Sequence, residues 1–127
     1  MANGDFCLRV VGVTYPNSDG TSRQTEISRC VAGERIELWR ERSNPFDPSA
    51  VAVISARDVQ VGYIGADRCG WIGSKIDRGL PIHVVVDRIV GTESDRWLGM
   101  IIRLNMGGDM PAFDPDEGYA EILRRYA

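Results

Sequence analysis

Short β-rich runs separated by turn residues dominate this chain, and they limit the folds that it can adopt. The clearest run is Arg35 to Glu41, where residues alternate between two faces with the period of a strand. Six runs are predicted to be strands: Phe6 to Val13, Arg35 to Glu41, Ala50 to Ser55, Val59 to Ile64, Ile82 to Val90 and Arg96 to Asn105. Short strands in a chain of 127 residues predict one mainly β domain, built as a strongly curved sheet or a partly open barrel.

One helix is predicted inside this series of strands, from Asp67 to Arg78. Its apolar residues recur at helical spacing, Asp67 is expected to cap its start, and Gly79 with Pro81 ends it. The segment Thr25 to Val31 fits either a short helix or a strand, and its apolar spacing favours the helix. The fold class is therefore α+β with a large excess of β structure.

A separate element is predicted after the barrel domain, which we place at residues 1–105. Residues 106–127 are interpreted as a linker followed by a helix from Pro115 to Tyr126, with Asp114 as its cap and Glu117 at capping-box spacing. The apolar stripe of this helix consists of Tyr119, Ile122, Leu123 and Tyr126. Packing on its own barrel is the favoured interpretation, and docking on a second chain, for example in a homodimer, is the alternative.

The cysteines and the histidine give no indication of a disulfide or a metal site. Cys7, Cys30 and Cys69 are odd in number and widely spaced, so we expect buried free thiols in a reducing compartment. His83 lies in an apolar run with no ligand at metal-binding distance along the chain. No targeting segment or long apolar stretch is seen, so we expect a cytoplasmic protein without a membrane partner, a metal or a cofactor.

The charge balance restricts the ways in which this chain can bind nucleic acid. The net charge is −3, and 14 of the 15 basic residues are arginine, Lys75 being the exception. The affinity of a protein for DNA depends strongly on the number of phosphates that it neutralises. A chain with this charge is not expected to coat DNA, whereas a site that touches only a couple of phosphates is compatible with it.

The most distinctive segment is NPFDPSAVAV, from Asn44 to Val53. Two prolines fix their own backbone angles and keep Asn44 and Asp47 out of the helical region, which makes the loop stiff. Asn44 and Asp47 can simply stabilise a turn by bonding to nearby backbone. Alternatively, the adjacent Phe46 and Asp47 can contact a ligand, because an aromatic face stacks on a base and a carboxylate accepts a hydrogen bond from a hydroxyl.

This segment resembles the HIRAN domain. The resemblance covers roughly residues 6–105 and includes Glu41 with the NPFDPSAVAV block, the VGYIG run at Val61 to Gly65, and VVGVTY at Val10 to Tyr15. It implies a small six-stranded barrel of the OB-like or SH3-like type, found alone in bacteria and phages and fused to fork-remodelling ATPases in eukaryotes. In the fused domains it implies capture of a single-stranded DNA 3′ end through the terminal hydroxyl.

The resemblance also implies roles for individual residues. Tyr15 matches a tyrosine that contacts the terminal nucleotide, Phe46 an aromatic that stacks on a base, and Asp47 the carboxylate that binds the 3′-hydroxyl. Asn44 matches the asparagine of the motif, and Trp97 lies near the place of a further aromatic. These residues are predicted to form a nucleic-acid site.

The chain departs from the family pattern at positions that would contact phosphate. Thr14 and Ala66 stand where the eukaryotic end-binding domains carry an arginine and a lysine, and Tyr63 replaces a histidine. Tyr63 is retained as a predicted site residue. The arginines that would replace the missing basic residues are Arg40, Arg42 and Arg68.

The function predicted from these observations is a non-enzymatic module that binds single-stranded DNA ends in DNA repair or replication. Any ATPase or nuclease activity would then come from another chain. The alternative is an assembly module that uses the C-terminal stripe. An enzyme is disfavoured, because the acidic residues that could form a metal cluster are explained by helix capping and loop solvation: Asp109, Asp114, Asp116 and Glu117.

Overall fold

Six strands and two helices make up the fold in this computed structural model, which describes residues 4–91, 96–108 and 110–111. The elements in chain order are β1 (Asp5–Arg9), α1 (Arg23–Arg29), β2 (Arg35–Arg40), β3 (Val51–Ile54), β4 (Gln60–Tyr63), α2 (Ala66–Asp77), β5 (His83–Val90) and β6 (Gly99–Asn105). The predicted helix from Pro115 to Tyr126 lies outside the described residues. Neither α1 nor α2 has the length and apolar character needed to cross a membrane.

The strands form one antiparallel sheet in the order β1-β6-β5-β2-β3-β4, which confirms the mainly β prediction. The sheet is not closed into a full barrel, which agrees with the predicted strongly curved sheet or partly open barrel. Its two edges meet at one residue pair, where Val11 and Tyr63 exchange backbone hydrogen bonds of 2.9 Å in both directions. Gly12 follows with a φ of +70° and turns the chain away, so the ladder cannot continue beyond this pair.

The short helix α1 confirms the helical interpretation of Thr25 to Val31, although it begins two residues earlier. The Ser22 hydroxyl caps it by accepting a 3.1 Å hydrogen bond from the backbone N–H of Thr25. Ile27 is fully buried on its inner face. Serine at this position satisfies a free N–H group of the first turn, which explains why the helix begins there.

The helix α2 confirms the predicted inserted helix but corrects its capping residue. Gly65, not Asp67, is the N-cap, because the helix begins at Ala66 and Asp67 falls in the first turn. There its charge faces the positive end of the helix dipole. Gly79 ends the helix as expected, with a φ of +71° and hydrogen bonds that close a Schellman motif.

Buried apolar side chains of the strands and of both helices form one core. α1 contacts β4, and α2 contacts β3. The largest fully buried apolar side chains are Ile27, Ile72, Met100, Ile102 and Leu104. The end of β4, the start of α2 and the loop before β3 are thereby fixed relative to one another, which positions the site described below.

The cysteines only partly follow the prediction of buried free thiols. All three are free, and Cys30 and Cys69 are buried, but Cys7 is exposed. Cys7 lies on β1 between Phe6 and Leu8, which are partly buried against the core. Successive side chains of a strand point to opposite faces, so Cys7 faces solvent, and the apolar neighbours that suggested burial lie on the other face.

The turn predicted at Arg57 and Asp58 joins β3 to β4 and is tied to α1. The Arg57 Nε donates to the Glu26 carboxylate at 2.6 Å, and its Nη1 donates to Glu34 at 2.8 Å. The Glu26 side chain is buried, so Arg57 supplies the charge that compensates it. This ion pair fixes the hairpin against the helix whose first residue is Arg23.

Candidate functional site

A groove of about 570 Å³ lies where the loop before β3 meets the end of β4, the start of α2 and the turn after Val11. We call it the Phe46 groove. Five of the nine predicted site residues line it: Tyr15, Asn44, Phe46, Asp47 and Tyr63. The other described lining residues are Val11, Gly12, Arg23, Ala50, Ile64, Ala66 and Cys69.

The loop that carries Phe46 is braced by its own side chains. The Asn44 Oδ1 accepts hydrogen bonds from the backbone N–H groups of Phe46 at 2.9 Å and Asp47 at 3.0 Å. The Asp47 Oδ1 accepts from the Ser49 N–H at 2.8 Å. The turn-stabilising roles of Asn44 and Asp47 are therefore present, and they leave Phe46 95% exposed.

The second oxygen of Asp47 faces a weak donor. The Cys69 thiol donates to the Asp47 Oδ2 over 3.7 Å. Burial raises the pKa of the Cys69 thiol, and the negative charge of Asp47 raises it further, so the thiol stays protonated near neutral pH. A thiol is a poor donor, and Oδ2 can therefore accept a stronger hydrogen bond from a ligand hydroxyl.

Glu41 connects the loop to the end of β4. Its Oε1 accepts hydrogen bonds from the Tyr63 hydroxyl at 2.7 Å and from the Asn44 side-chain amide at 3.1 Å. The Asn44 backbone N–H also donates to the Glu41 carbonyl at 3.0 Å. Glu41 thus acts as a positioning residue, which explains its place beside the NPFDPSAVAV block.

Arg23 is a groove residue that sequence reasoning missed. Its Nε donates to Asn17 and its Nη1 to the Gly12 carbonyl, both at 2.7 Å, and its Cζ lies 5.3 Å from the centre of the Tyr63 ring. The residue is only 7% exposed, and among the described lining residues it is the one with a positive charge. No spacing in the sequence indicates this role, because loop folding alone brings Gly12, Asn17 and Arg23 together.

Gly12 is the point at which the groove side chains converge. A methyl group at this position would lie 3.4 Å from the Arg23 Nη1, 3.7 Å from the Tyr63 Cδ2 and 3.9 Å from the Tyr15 Cδ2. Its positive φ also favours glycine. Gly12 therefore allows one cation and two aromatic rings to surround a single turn.

The structure does not bring the three arginines predicted to contact phosphate into this groove. Arg40 and Arg42 both bind Asp77 near the end of α2, with contacts of 3.1 Å and 2.7 Å, and they lower the pKa of the Asp77 carboxyl. Arg68 lies beside Asp67 at 3.9 Å and is not among the groove residues. Asp77 on α2 already forms an ion pair with Arg40 on β2, and this pair explains why the Arg40 side chain lies away from the groove.

Trp97 also lies away from the described lining of the groove. It is 50% exposed, and the Arg96 guanidinium lies 5.7 Å from the centre of its ring. Its role in binding stays a prediction.

Metal ligands are not grouped in the described part of the chain. No cluster of three or more His, Cys, Asp or Glu side chains there is placed to hold an ion. The four acidic residues considered as a metal cluster, Asp109, Asp114, Asp116 and Glu117, lie outside the described residues.

Comparisons with known proteins place the fold in one family. The family model of the HIRAN domain matches residues 3–102. The crystal structure of the HIRAN domain of human HLTF shares 22% identity over 80% of this chain and 73% of that chain, with a TM-score of 0.57. A crystal structure of a Lactobacillus plantarum protein shares 21% identity over 80% of this chain and 99% of that chain, with a TM-score of 0.56.

These structural similarities concern the fold alone, since the identities are low. No curated protein matches the chain. The family match, in contrast, spans β1 to β5 and the first four residues of β6. From its sequence match and its fold, this chain belongs to the HIRAN domain family.

Proposed function

We propose that this chain binds the 3′ end of single-stranded DNA in the Phe46 groove and does not act on it chemically. HIRAN domains are known generally as DNA-binding domains of SWI/SNF-like proteins, and HIRAN is a binding domain rather than a catalytic one. The observation that carries the proposal is the almost fully exposed Phe46 on a loop braced by Asn44, directly beside the Asp47 carboxylate. The proposed context is DNA repair or replication, with any ATPase or nuclease supplied by another chain.

Two exposed aromatic side chains support base stacking. Phe46 is 95% exposed and Tyr15 is 68% exposed, and both line the groove. Large apolar side chains exposed on a rigid loop gain contact area when a base covers them, at little cost in side-chain entropy. Stacking of this kind contributes about 1–3 kcal/mol per base and depends little on sequence.

The carboxylate of Asp47 supports recognition of a hydroxyl rather than a phosphate. Its Oδ2 faces only the weak Cys69 donor among the described contacts, so a ligand hydroxyl can donate to it. A hydrogen bond to a charged acceptor contributes about 1.5–3 kcal/mol. A terminal phosphate at the same place would instead bring two like charges together, which is unfavourable.

Arg23 supports contact with the backbone next to the terminal nucleotide. It provides a buried cation at the groove although Thr14 and Ala66 lack the basic side chains of the eukaryotic domains. Asn17 and Gly12 hold its guanidinium in place, so little rotamer entropy is lost when a phosphate binds. One such contact is compatible with the net charge of −3, because a terminal site neutralises few phosphates.

The proposal is tested by the chemistry of the DNA end. Fluorescence anisotropy compares two oligonucleotides of identical sequence that end in a 3′-hydroxyl or a 3′-phosphate. We expect tighter binding of the hydroxyl by about 1.5–3 kcal/mol, roughly 10- to 150-fold in Kd. A matched pair that differs only at the 5′ end should bind equally, and an RNA strand of the same sequence tests the choice of DNA.

Equal affinity for the two 3′ ends would contradict recognition of the hydroxyl. A clear difference in affinity between the two members of the 5′ pair would contradict the proposal that the 3′ end lies in the groove.

A second prediction concerns the salt dependence of binding. Replacing Arg23 with Gln should lower the slope of log K against log salt concentration by about 0.7, the value for one phosphate contact on single-stranded DNA. Replacing Arg23 with Lys keeps a positive charge and should leave the slope nearly unchanged, while the loss of the fork geometry weakens binding. Anisotropy titrations from low to high salt measure both variants.

The thermal unfolding of each Arg23 variant is the control, because the residue is buried. An unchanged slope in the folded Gln variant would show that Arg23 does not contact phosphate.

A further inference from the structure

A second groove lies on the fold away from the proposed DNA site. It has a volume of about 540 Å³ and shares no described lining residue with the Phe46 groove. We call it the Trp39 groove, and its main apolar residues are Leu38, Trp39, Ile76, Leu80, Ile82 and Met110. This surface is therefore independent of the proposed function.

The groove exists because β2 and β5 separate. These strands pair only at Arg35 with Val85 and Ile36 with Val84, after which β2 continues along β3. The opening is bordered by the end of α2 and the start of β5. A wide apolar gap thus remains beside an otherwise well-packed sheet.

Apolar side chains in this gap are incompletely covered. Trp39 is 48% exposed and Met110 is exposed, while Leu38, Ile76 and Ile82 are only partly buried. A contiguous apolar surface of this kind is typical of a binding site for another element.

Met110 lines this groove, and the following Pro111 is buried. Sixteen residues follow Pro111 in the sequence, and they include the apolar stripe Tyr119, Ile122, Leu123 and Tyr126. The segment that carries the apolar stripe therefore follows shortly after Met110, a residue that lines the incompletely covered groove.

We infer that the helix predicted from the sequence for residues 115–126 lays this stripe into the Trp39 groove of the same chain. Only residues 112–114 separate Pro111 from the start of that helix, and three residues span at most about 10 Å. The helix would be about 18 Å long at 1.5 Å per residue. A tether this short gives an effective concentration of about millimolar, so the chain's own helix prevails over a second copy at micromolar concentration.

Tryptophan fluorescence of the full chain tests this inference. The substitutions Trp71→Phe and Trp97→Phe leave Trp39 as the one remaining tryptophan of three. In that background, Leu123→Asp removes an apolar stripe residue, and Ala120→Asp adds the same charge off the stripe. We expect Leu123→Asp to shift the Trp39 emission to longer wavelength and to increase its quenching by acrylamide, and Ala120→Asp to change neither.

Two further measurements keep the inference falsifiable. Chymotrypsin should cleave at Tyr119 and Leu123 faster in Trp39→Ala than in Trp97→Ala, a matched variant since Trp97 is similarly exposed at 50%. Sedimentation velocity over a wide concentration range should show a monomer. Identical quenching in the two Asp variants, or equal cleavage in the two Ala variants, would overturn the inference. A concentration-dependent dimer disrupted by Leu123→Asp would assign the groove to a second copy.

Discussion

Replacing Phe46 with Ala should weaken binding of a 3′-hydroxyl single-stranded oligonucleotide by about 1–3 kcal/mol, roughly 5- to 150-fold in Kd. The side chain is 95% exposed, so its removal takes away a stacking surface without leaving a cavity in the core. The free energy of unfolding should therefore change by less than about 0.5 kcal/mol. Anisotropy titrations and urea unfolding of the same samples measure the two quantities.

The companion variant Asp47→Asn separates stacking from recognition of the end. An asparagine can still accept the hydrogen bond from the Ser49 N–H that Asp47 accepts at 2.8 Å, so the loop should keep its shape. The variant should lose its preference for a 3′-hydroxyl over a 3′-phosphate, because the negative charge that excludes phosphate is gone. Phe46→Ala should keep that preference while binding both ends more weakly.

Asp67→Asn is the matched control for charge. Asp67 lies at the start of α2 with an exposed carboxylate and does not line the groove, yet its substitution changes the net charge by the same amount. An effect of Asp67→Asn as large as that of Asp47→Asn would mean that net charge, and not contact with the end, controls binding.

Replacing Gly62 with Ala should lower the free energy of unfolding by about 1–3 kcal/mol or more. A methyl group at this position would overlap with the carbonyl oxygen of Val11 and lie 2.6 Å from the Cγ1 of Val10. Backbone and core side chains cannot move aside cheaply, so the contact between the two sheet edges must open. Since Tyr63 is the next residue and pairs with Val11, oligonucleotide binding should weaken as well.

Gly70→Ala is the matched control, because it adds the same methyl group in open space. Gly70 lies on the exposed face of α2, and a methyl group there meets nothing within 4 Å. Alanine is favoured over glycine in a helix, so this variant should be more stable than the parent by about 0.5–1 kcal/mol. Urea unfolding measures both variants, and equal stabilities for them would refute the role assigned to Gly62.

This role also explains the VGYIG run in physical terms. Its first glycine, Gly62, lies where the chain after β1 crosses β4, and an added side chain would prevent the Val11 to Tyr63 pair from forming. The sequence shows a glycine inside a strand, which indicates a close approach of another backbone but not which one. The partner is about fifty residues away and is revealed only by the fold.

Structural elements that depend on residues close together in the sequence were predicted well. Strand periodicity located the six strands within a few residues, and helical spacing with Gly79 located α2. The errors concern exact starts and orientation: Asp67 is not the cap, and Cys7 faces solvent although its neighbours are apolar. Both depend on small differences in position: the cap lies two residues earlier, at Gly65, and Cys7 lies one residue from neighbours that face the core.

The sequence by itself determined the stiff loop from Asn44 to Ala50, because proline geometry and the bonds from Asn44 act within a few residues. Only the tertiary structure decided which charges lie beside that loop. Arg23 enters the groove through contacts with Gly12 and Asn17, whereas Arg40 and Arg42 are held by Asp77, more than thirty residues away. Side-chain partners over such distances depend on the path of the whole chain, and no local pattern encodes them.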